Sequence, residues 1–303
     1  IVFSFTNSRG EELRFEGVLN GMKDKVKQNA NTMYAFEFTS KEVWKNEQDF
    51  VTKRFNNIAP QDIVSEMVER IKNGPHGEED KMQGNGEPMS FLGSRKRPTD
   101  IIKYVLTHGI STANKPDATD NGKAQEETAK GTTGFLFWQT IDGYRFCSVD
   151  DVLKGVGGNP VQEPFIHRLQ QRNISMEDAM QSIVTYDFKK IGDMQTNMRA
   201  GAFKNCVISF DMDKGLYKEI VYDDDKNKTD KQKEAVTKPT RYLYKPYVND
   251  RFEQTCEPAQ ANQWDQSRRY MAQNTVRQNT FADQYGSLTL PPQFELRAGD
   301  TVE

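Results

Sequence analysis

Apolar and polar residues alternate three times within the first forty positions. Ile1 to Thr6, Leu13 to Leu19 and Tyr34 to Thr39 each read as strands, the last as Tyr34-Ala35-Phe36-Glu37-Phe38. Asn7-Ser8-Arg9-Gly10 carries turn chemistry between the first two. Ser40 stands where a helix cap belongs, with Val43, Trp44 and Phe50 as the apolar positions that follow. Three strands cannot close a barrel, so their partners are expected elsewhere in the chain or before Ile1.

The period then becomes helical. Pro60 occupies a first helical position, Asp62 lies in the first turn, and Ile63, Val64, Met67, Val68 and Ile71 form one stripe. Pro98 opens a second helix, with Ile101, Ile102, Val105 and Leu106 on one face, His108 near the end and Gly109 as the stop. Residues 73–97 and 111–133 are rich in polar and charged residues and read as long loops. Phe135, Leu136, Phe137 and Trp138 are apolar without alternation, which predicts a strand buried on both sides. Asp142-Gly143 supplies the hairpin turn into Gly143-Tyr144-Arg145-Phe146. Ser148 with Asp151 predicts a capping box for a short helix ending near Gly155. Two helices and a hairpin make an α/β unit over residues 57–157.

Alternation returns in Ser182 to Phe188, Phe203 to Phe210 and Leu216 to Tyr222, with Asp211-Met212-Asp213-Lys214-Gly215 as a turn. Residues 223–240 are mostly charged and are expected to be a mobile surface segment. A helix rich in Arg and Gln follows, Ser267-Arg268-Arg269-Tyr270 through Phe281, and leads into the strand Ser287-Leu288-Thr289-Leu290. A Pro291-Pro292 turn, Phe294-Glu295-Leu296-Arg297, and Ala298-Gly299-Asp300 before a new strand at Thr301 end the chain. No internal repeat at a fixed period is present.

Composition sharpens this outline. A chain of 303 residues suffices for two or three domains. Hydrophobic residues make up only 35% and charged residues 28%, which suits small domains with polar loops, or a subunit whose missing burial comes from partners. A net charge of −3 provides no basic field for nucleic acid, and no apolar run approaches the ~18 residues of a membrane helix. Cys147, Cys206 and Cys256 are too few and too dispersed for a disulfide framework, which fits synthesis in a reducing compartment. With Ile1 in place of an initiating Met and a strand starting at the very end, the chain reads as an interior part of a longer polypeptide.

Candidate chemistry is sparse. His76, His108 and His167 share no ligand spacing with one another or with a cysteine. Cys147 follows a buried strand and reads as a small core residue. Asp211 to Gly215 with Glu219 lacks the fifth-position oxygen and the length of a calcium loop. Gly155-Val156-Gly157-Gly158-Asn159-Pro160 has no following Lys-Ser or Lys-Thr to hold phosphate. Arg95-Lys96-Arg97 reads as a solvated surface patch rather than a nucleic-acid site. No catalytic, cofactor or metal residue is assigned, and no cofactor is expected.

Five segments, taken in order, resemble the baseplate hub proteins of contractile-tailed phages. They are Phe36-Glu37-Phe38-Thr39-Ser40-Lys41-Glu42, Val51-Thr52-Lys53-Arg54-Phe55, Arg97-Pro98-Thr99-Asp100-Ile101-Ile102, Gly134-Phe135-Leu136-Phe137-Trp138 to Ser148-Val149-Asp150, and the closing helix-strand-turn segment. The resemblance implies an α+β, mainly β chain: two hub-type β-barrels with an inserted α/β domain. Residues 1–56 would belong to the first, discontinuous barrel, 57–157 to the insertion, and 158–303 to the second barrel and return strands. It implies a structural subunit rather than an enzyme: a homotrimer in the virion tail baseplate, assembled in the host cytoplasm, that joins the central spike to the tail tube. Its implied partners are the spike protein, the tail tube protein, baseplate wedge proteins and the tape measure protein, with no membrane and no specific nucleic acid. The alternative is a tail-associated peptidoglycan hydrolase, which would need a catalytic Glu in a recognisable setting, a zinc set or a Cys-His pair.

Overall fold

Two helices start from proline and bury one stripe each, and the core forms around them. The computed structural model describes residues 1–6, 12–28, 31–72, 80–83, 85–112, 132–140, 142–153, 165–167, 175, 179, 181–190, 194–211, 215–223, 229–247, 263–281, 284–291 and 296–300. Helix α2 (Pro60–Ile71; α1 is Lys41–Gln48) buries Ile63, Val64, Met67, Val68 and Ile71, the stripe its spacing predicts. Helix α3 (Pro98–His108) buries Ile101, Ile102 and Val105, and its amide chain stops at Gly109. Neither α2 nor α3 has a side-chain cap of its own. For α3 the cap arrives from α1, where Asn46 Oδ1 accepts the Thr99 amide at 3.0 Å. That bond explains why α1 turns Glu42 and Asn46 inward while Val43 and Trp44 stay exposed, the reverse of the face expected.

Strand β5 (Val51–Ile58) pairs antiparallel with β7 (Met89–Lys96), and the boundary expected at residue 56 falls inside β5. Val51, Phe55 and Phe91 enter the helical core; Phe91 stacks between Phe55 at 4.7 Å and Tyr104 at 4.6 Å. The loop expected over 73–97 is therefore corrected: it contains β7 and the short β6 (Lys81–Met82). Arg95 and Lys96 at the end of β7, with Arg97 just after it, conceal an alternation that places Phe91 and Gly93 inward. At the ends of the second expected loop, β8 (Ile110–Ser111) pairs with β9 (Thr132–Thr133), and 113–131 lie outside the described residues.

The expected hairpin forms, with β10 (Phe135–Thr140) against β11 (Gly143–Ser148), Gly143 already pairing with Thr140, and β6 parallel to β11. Phe135 and Phe146 are buried and stack at 4.8 Å. Burial on both sides does not extend to Trp138, which is half-buried and donates its indole N–H to the Ala298 carbonyl at 2.8 Å. Ser148 caps α4 (Val149–Leu153) as expected: its Oγ accepts the Asp151 amide and donates to Asp151 Oδ2 at 2.7 Å.

The N-terminal strands are β1 (Val2–Thr6), β2 (Glu12–Glu16), β3 (Val18–Gln28) and β4 (Asn31–Thr39). They pair as two antiparallel hairpins, β1–β2 and β3–β4. Gly17 divides the expected 13–19 strand in two, since a side chain there would press on Phe38 Cβ at 3.2 Å. The turn expected at 7–10 lies outside the described residues.

In the second half, β12 (Ile166–His167) pairs with β13 (Ser182–Ile183), while β14 (Thr185–Lys190) pairs with the late strand β18 (Gln284–Thr289). After α5 (Met194–Ala200), β15 (Lys204–Asp211) lies between antiparallel β16 (Leu216–Asp223) and parallel β17 (Arg241–Tyr247). Pro246 makes β17 hard to read as a strand, and its edge position is where proline is tolerated. The charged 223–240 segment contains helix α6 (Asp230–Ala235), capped reciprocally by Thr229 and Gln232, with Val236 buried behind it. Residues 224–228 and the Pro-Pro exit after Pro291 lie outside the described residues.

Helix α7 (Gln263–Phe281) ties these parts together. On one side Asn274 Nδ2 donates to the Thr107 carbonyl, Gln273 Oε1 accepts from the Thr133 amide, and Arg277 pairs with Asp150 at 2.6 Å. On the other, the Ala272 carbonyl accepts from Asn205 Nδ2 at 2.9 Å and Asn279 Nδ2 donates to the Ala200 carbonyl at 3.1 Å. The chain is thus α+β and mainly β, in sheets of two or three strands; none closes into a barrel among the described residues.

Phe146→Ala should lower unfolding free energy by about 3–5 kcal/mol, and Trp138→Ala by clearly less, because only the first leaves a sealed cavity. Urea denaturation of the two variants side by side checks the order.

Candidate assembly surface

Three sheets outside the helical core expose large apolar side chains on one face. In β3–β4 the cross-strand pairs Leu19–Phe38 and Met22–Phe36 share a face with Tyr34. Lys25 opposes Tyr34 there and holds its ammonium 5.5 Å from the ring centroid. In β1–β2 the pair Phe3–Phe15 shares a face with Phe5, and Phe5 meets Phe15 edge-on at 6.1 Å. Phe3 meets Phe38 at 5.1 Å, which joins the two hairpin faces into one aromatic surface. Along it Phe5, Phe15, Leu19, Met22, Tyr34 and Phe36 are all exposed.

A second face lies on β14–β18, where Tyr186 opposes Leu288 and Phe188 opposes Gly286. Phe188 lies over the glycine, where a Cβ would come within 2.8 Å of its ring, yet it remains 74% exposed. The third is on β15–β17. Helix α7 covers the side bearing Asn205, while the opposite side carries Tyr217, Val221, Tyr242 and Tyr244, all exposed. A two-stranded ribbon is marginal alone, and a sheet with one apolar face is stable only when that face packs on something. Large uncovered apolar patches mark binding surfaces.

The residues considered for chemistry have structural roles or lie elsewhere. His108 stacks on Tyr104 at 4.0 Å at the end of α3, and its Nδ1 is 3.0 Å from the Tyr104 carbonyl. His76, Cys256, residues 155–160 and 212–214, and the His167 side chain lie outside the described residues. Among the described residues no cluster of three or more His, Cys, Asp or Glu side chains has metal-binding geometry, and no helix is long and apolar enough to cross a membrane. The basic run is engaged locally: Arg95 and Arg97 lie 5.9 and 5.8 Å from the Phe50 ring centroid, and Arg97 pairs with Glu47 at 2.7 Å.

Cys147 is buried, and burial chiefly, with Asp151 adding to it, pushes its thiol up to about 12. Burial likewise holds the Tyr144 phenol at about 12, with Glu42 and Asp80 contributing. Cys206 is raised mainly by burial as well. A scan against protein-family models finds no match, and a search of curated proteins finds no similar sequence.

What sequence reading missed is the extension of β3 beyond Leu19. Two register shifts, between Leu19 and Gly21 and between Met22 and Asp24, disturb the period of two there. The visible signal was the high density of large apolar residues in strands with nothing predicted to cover them.

The raised thiol and phenol fix a pH trend. Above pH ~9 the unfolded chain releases protons from Cys147 and Tyr144 that the folded chain retains, so stability falls as pH rises from about 9 towards 12. Melting should occur at lower temperature at pH 10.5 than at pH 7.5. Native Cys147 should resist iodoacetamide at pH 8, read by peptide mass spectrometry, and react once the protein is unfolded.

Proposed function

We propose that this protein is a structural hub subunit of a contractile-tail baseplate, three copies of which assemble to connect a central spike to the tail tube. In this reading each subunit contributes two incomplete barrels around the α/β unit, and the barrels are completed across subunits and by neighbouring tail proteins. The observation that carries it is the joined aromatic surface of β1 to β4, seated on two ribbons too small to be stable alone. The segment order of the sequence supplies the family and the number three; the uncovered faces supply the physical need for partners. The spike, tube, wedge and tape measure proteins are the partners this reading assigns, and the virion baseplate is its location.

Native mass spectrometry and light scattering test it. The expected species contains three copies of the 34.8 kDa chain. Met22→Glu combined with Phe36→Glu places two like charges opposite each other on the exposed face and should leave folded monomers, with an unchanged circular dichroism spectrum and a lower melting temperature than the assembled wild type. A wild-type protein that stays monomeric at high concentration and needs no partner overturns the proposal.

A further inference from the structure

One edge of the α/β unit is open in a way the assembly surface does not use. β5 and β7 form a two-stranded sheet, so no described strand pairs with the outer edge of β7. Along that edge runs a groove of about 730 Å³ between β7 and α3. Four successive β7 residues, Ser90 to Gly93, line it. Successive strand residues point to opposite faces, so a groove that touches all four follows the strand's edge. Over Met89 to Gly93, before a bulge at Arg95, every second residue of β7 directs its amide and carbonyl away from β5 into this space.

The walls are partly apolar and partly cationic. Leu92 is 52% exposed beside Phe91 and Tyr104, which stack at 4.6 Å. Lys96 at one end and Lys103 on α3 both line the groove and are exposed. Neither has an ion-pair partner among the described residues. Asp100, also on the groove, sits in the first turn of α3, where the helix N-terminus stabilises it.

We infer that this groove binds an extended acidic segment of a partner protein, which adds as a third strand to β7. Main-chain hydrogen bonds to the open edge supply the affinity, as in strand addition generally. An apolar side chain settles against Leu92 and Tyr104, and carboxylates meet Lys96 and Lys103. The charge of the two lysines selects an acidic over a basic strand. A long open edge beside an apolar wall otherwise invites indiscriminate pairing. This site is separate from the faces that carry the assembly proposal, and either can hold without the other.

The probe is a fluorescein-labelled octapeptide of alternating valine and glutamate, titrated with the full chain by fluorescence anisotropy. Saturable binding is expected, with the valine–lysine counterpart at least about tenfold weaker. Lys96→Glu with Lys103→Glu, both surface changes, should reverse that preference while leaving the circular dichroism spectrum and melting temperature unchanged. N-methylating alternate residues of the acidic peptide, in the two possible phases, should abolish binding in one phase, because it removes the donors facing β7. Absence of saturable binding, binding indifferent to the lysine reversals, or equal binding by both N-methylated peptides each overturns the inference. Loss of probe binding as protein concentration rises assigns the edge to a second copy of this chain, and overturns it too.

Discussion

The two halves of the molecule meet on a helix that holds them largely through polar contacts. Among the described side chains of α7 the buried positions are Ala272, Asn274 and Val276, and the polar contacts that hold it come from amides and one guanidinium. Buried polar groups are retained only where they are paired, so each contact also dictates a position. Arg277 and Asp150 pair with side chains only 18% and 12% exposed. Such a pair contributes little net stability against an apolar substitute but penalises any arrangement that breaks it. Asn274 and Asn205 each use the amide donor, and neither Oδ1 has a partner among the described residues. That orphaned acceptor costs free energy. The arrangement therefore favours a defined placement of the helical core against the β15 sheet over maximal stability.

A rigid centre sets what the outer sheets can do. Because Phe55, Phe91, Phe135 and Phe146 already fill the space between α2, α3 and the hairpin, the β1–β4 ribbons cannot turn their aromatic faces inward. Those faces remain on the surface, joined to each other through the Phe3–Phe38 contact. Where the chain folds its own core it uses helices and short strands; where it leaves sheets incomplete it uses large aromatic side chains.

Much of the core was legible because it rests on local rules. The stripes of α2 and α3, their proline starts, the Asp142-Gly143 hairpin and the Ser148 cap follow from spacing alone. What failed did so where distant contacts outweighed local pattern. α1 turned its polar side inward because Asn46 caps α3, fifty-three residues away in sequence. β7 was concealed by its basic end, and β17 by a proline that an edge strand tolerates. Burial of α7 could not be read from a polar sequence, because its partners are backbone carbonyls and amides rather than apolar side chains. The uncovered faces were legible only indirectly, as a hydrophobic content too low for one globule alongside strands too few to close.

Magnitudes decide whether those faces are enough to hold subunits together. Fully covering a large apolar side chain is worth about 1.5–3 kcal/mol, so a half-exposed one gains roughly half of that. The six exposed residues of the joined β1–β4 surface then offer about 5–9 kcal/mol. Association costs about 4–15 kcal/mol in lost freedom, before any ordering of side chains. That one surface roughly breaks even and would give weak, transient contact. The β14–β18 face and the open side of β15–β17 add a comparable amount, and joint burial of all three, about 10–18 kcal/mol, moves the balance towards association. Under the proposed hub assembly, burial would be cooperative: a subunit gains little from one neighbour and more from a closed ring that covers all three faces. In that reading chains would stay apart until the ring can close, as suits a part built once into a larger assembly.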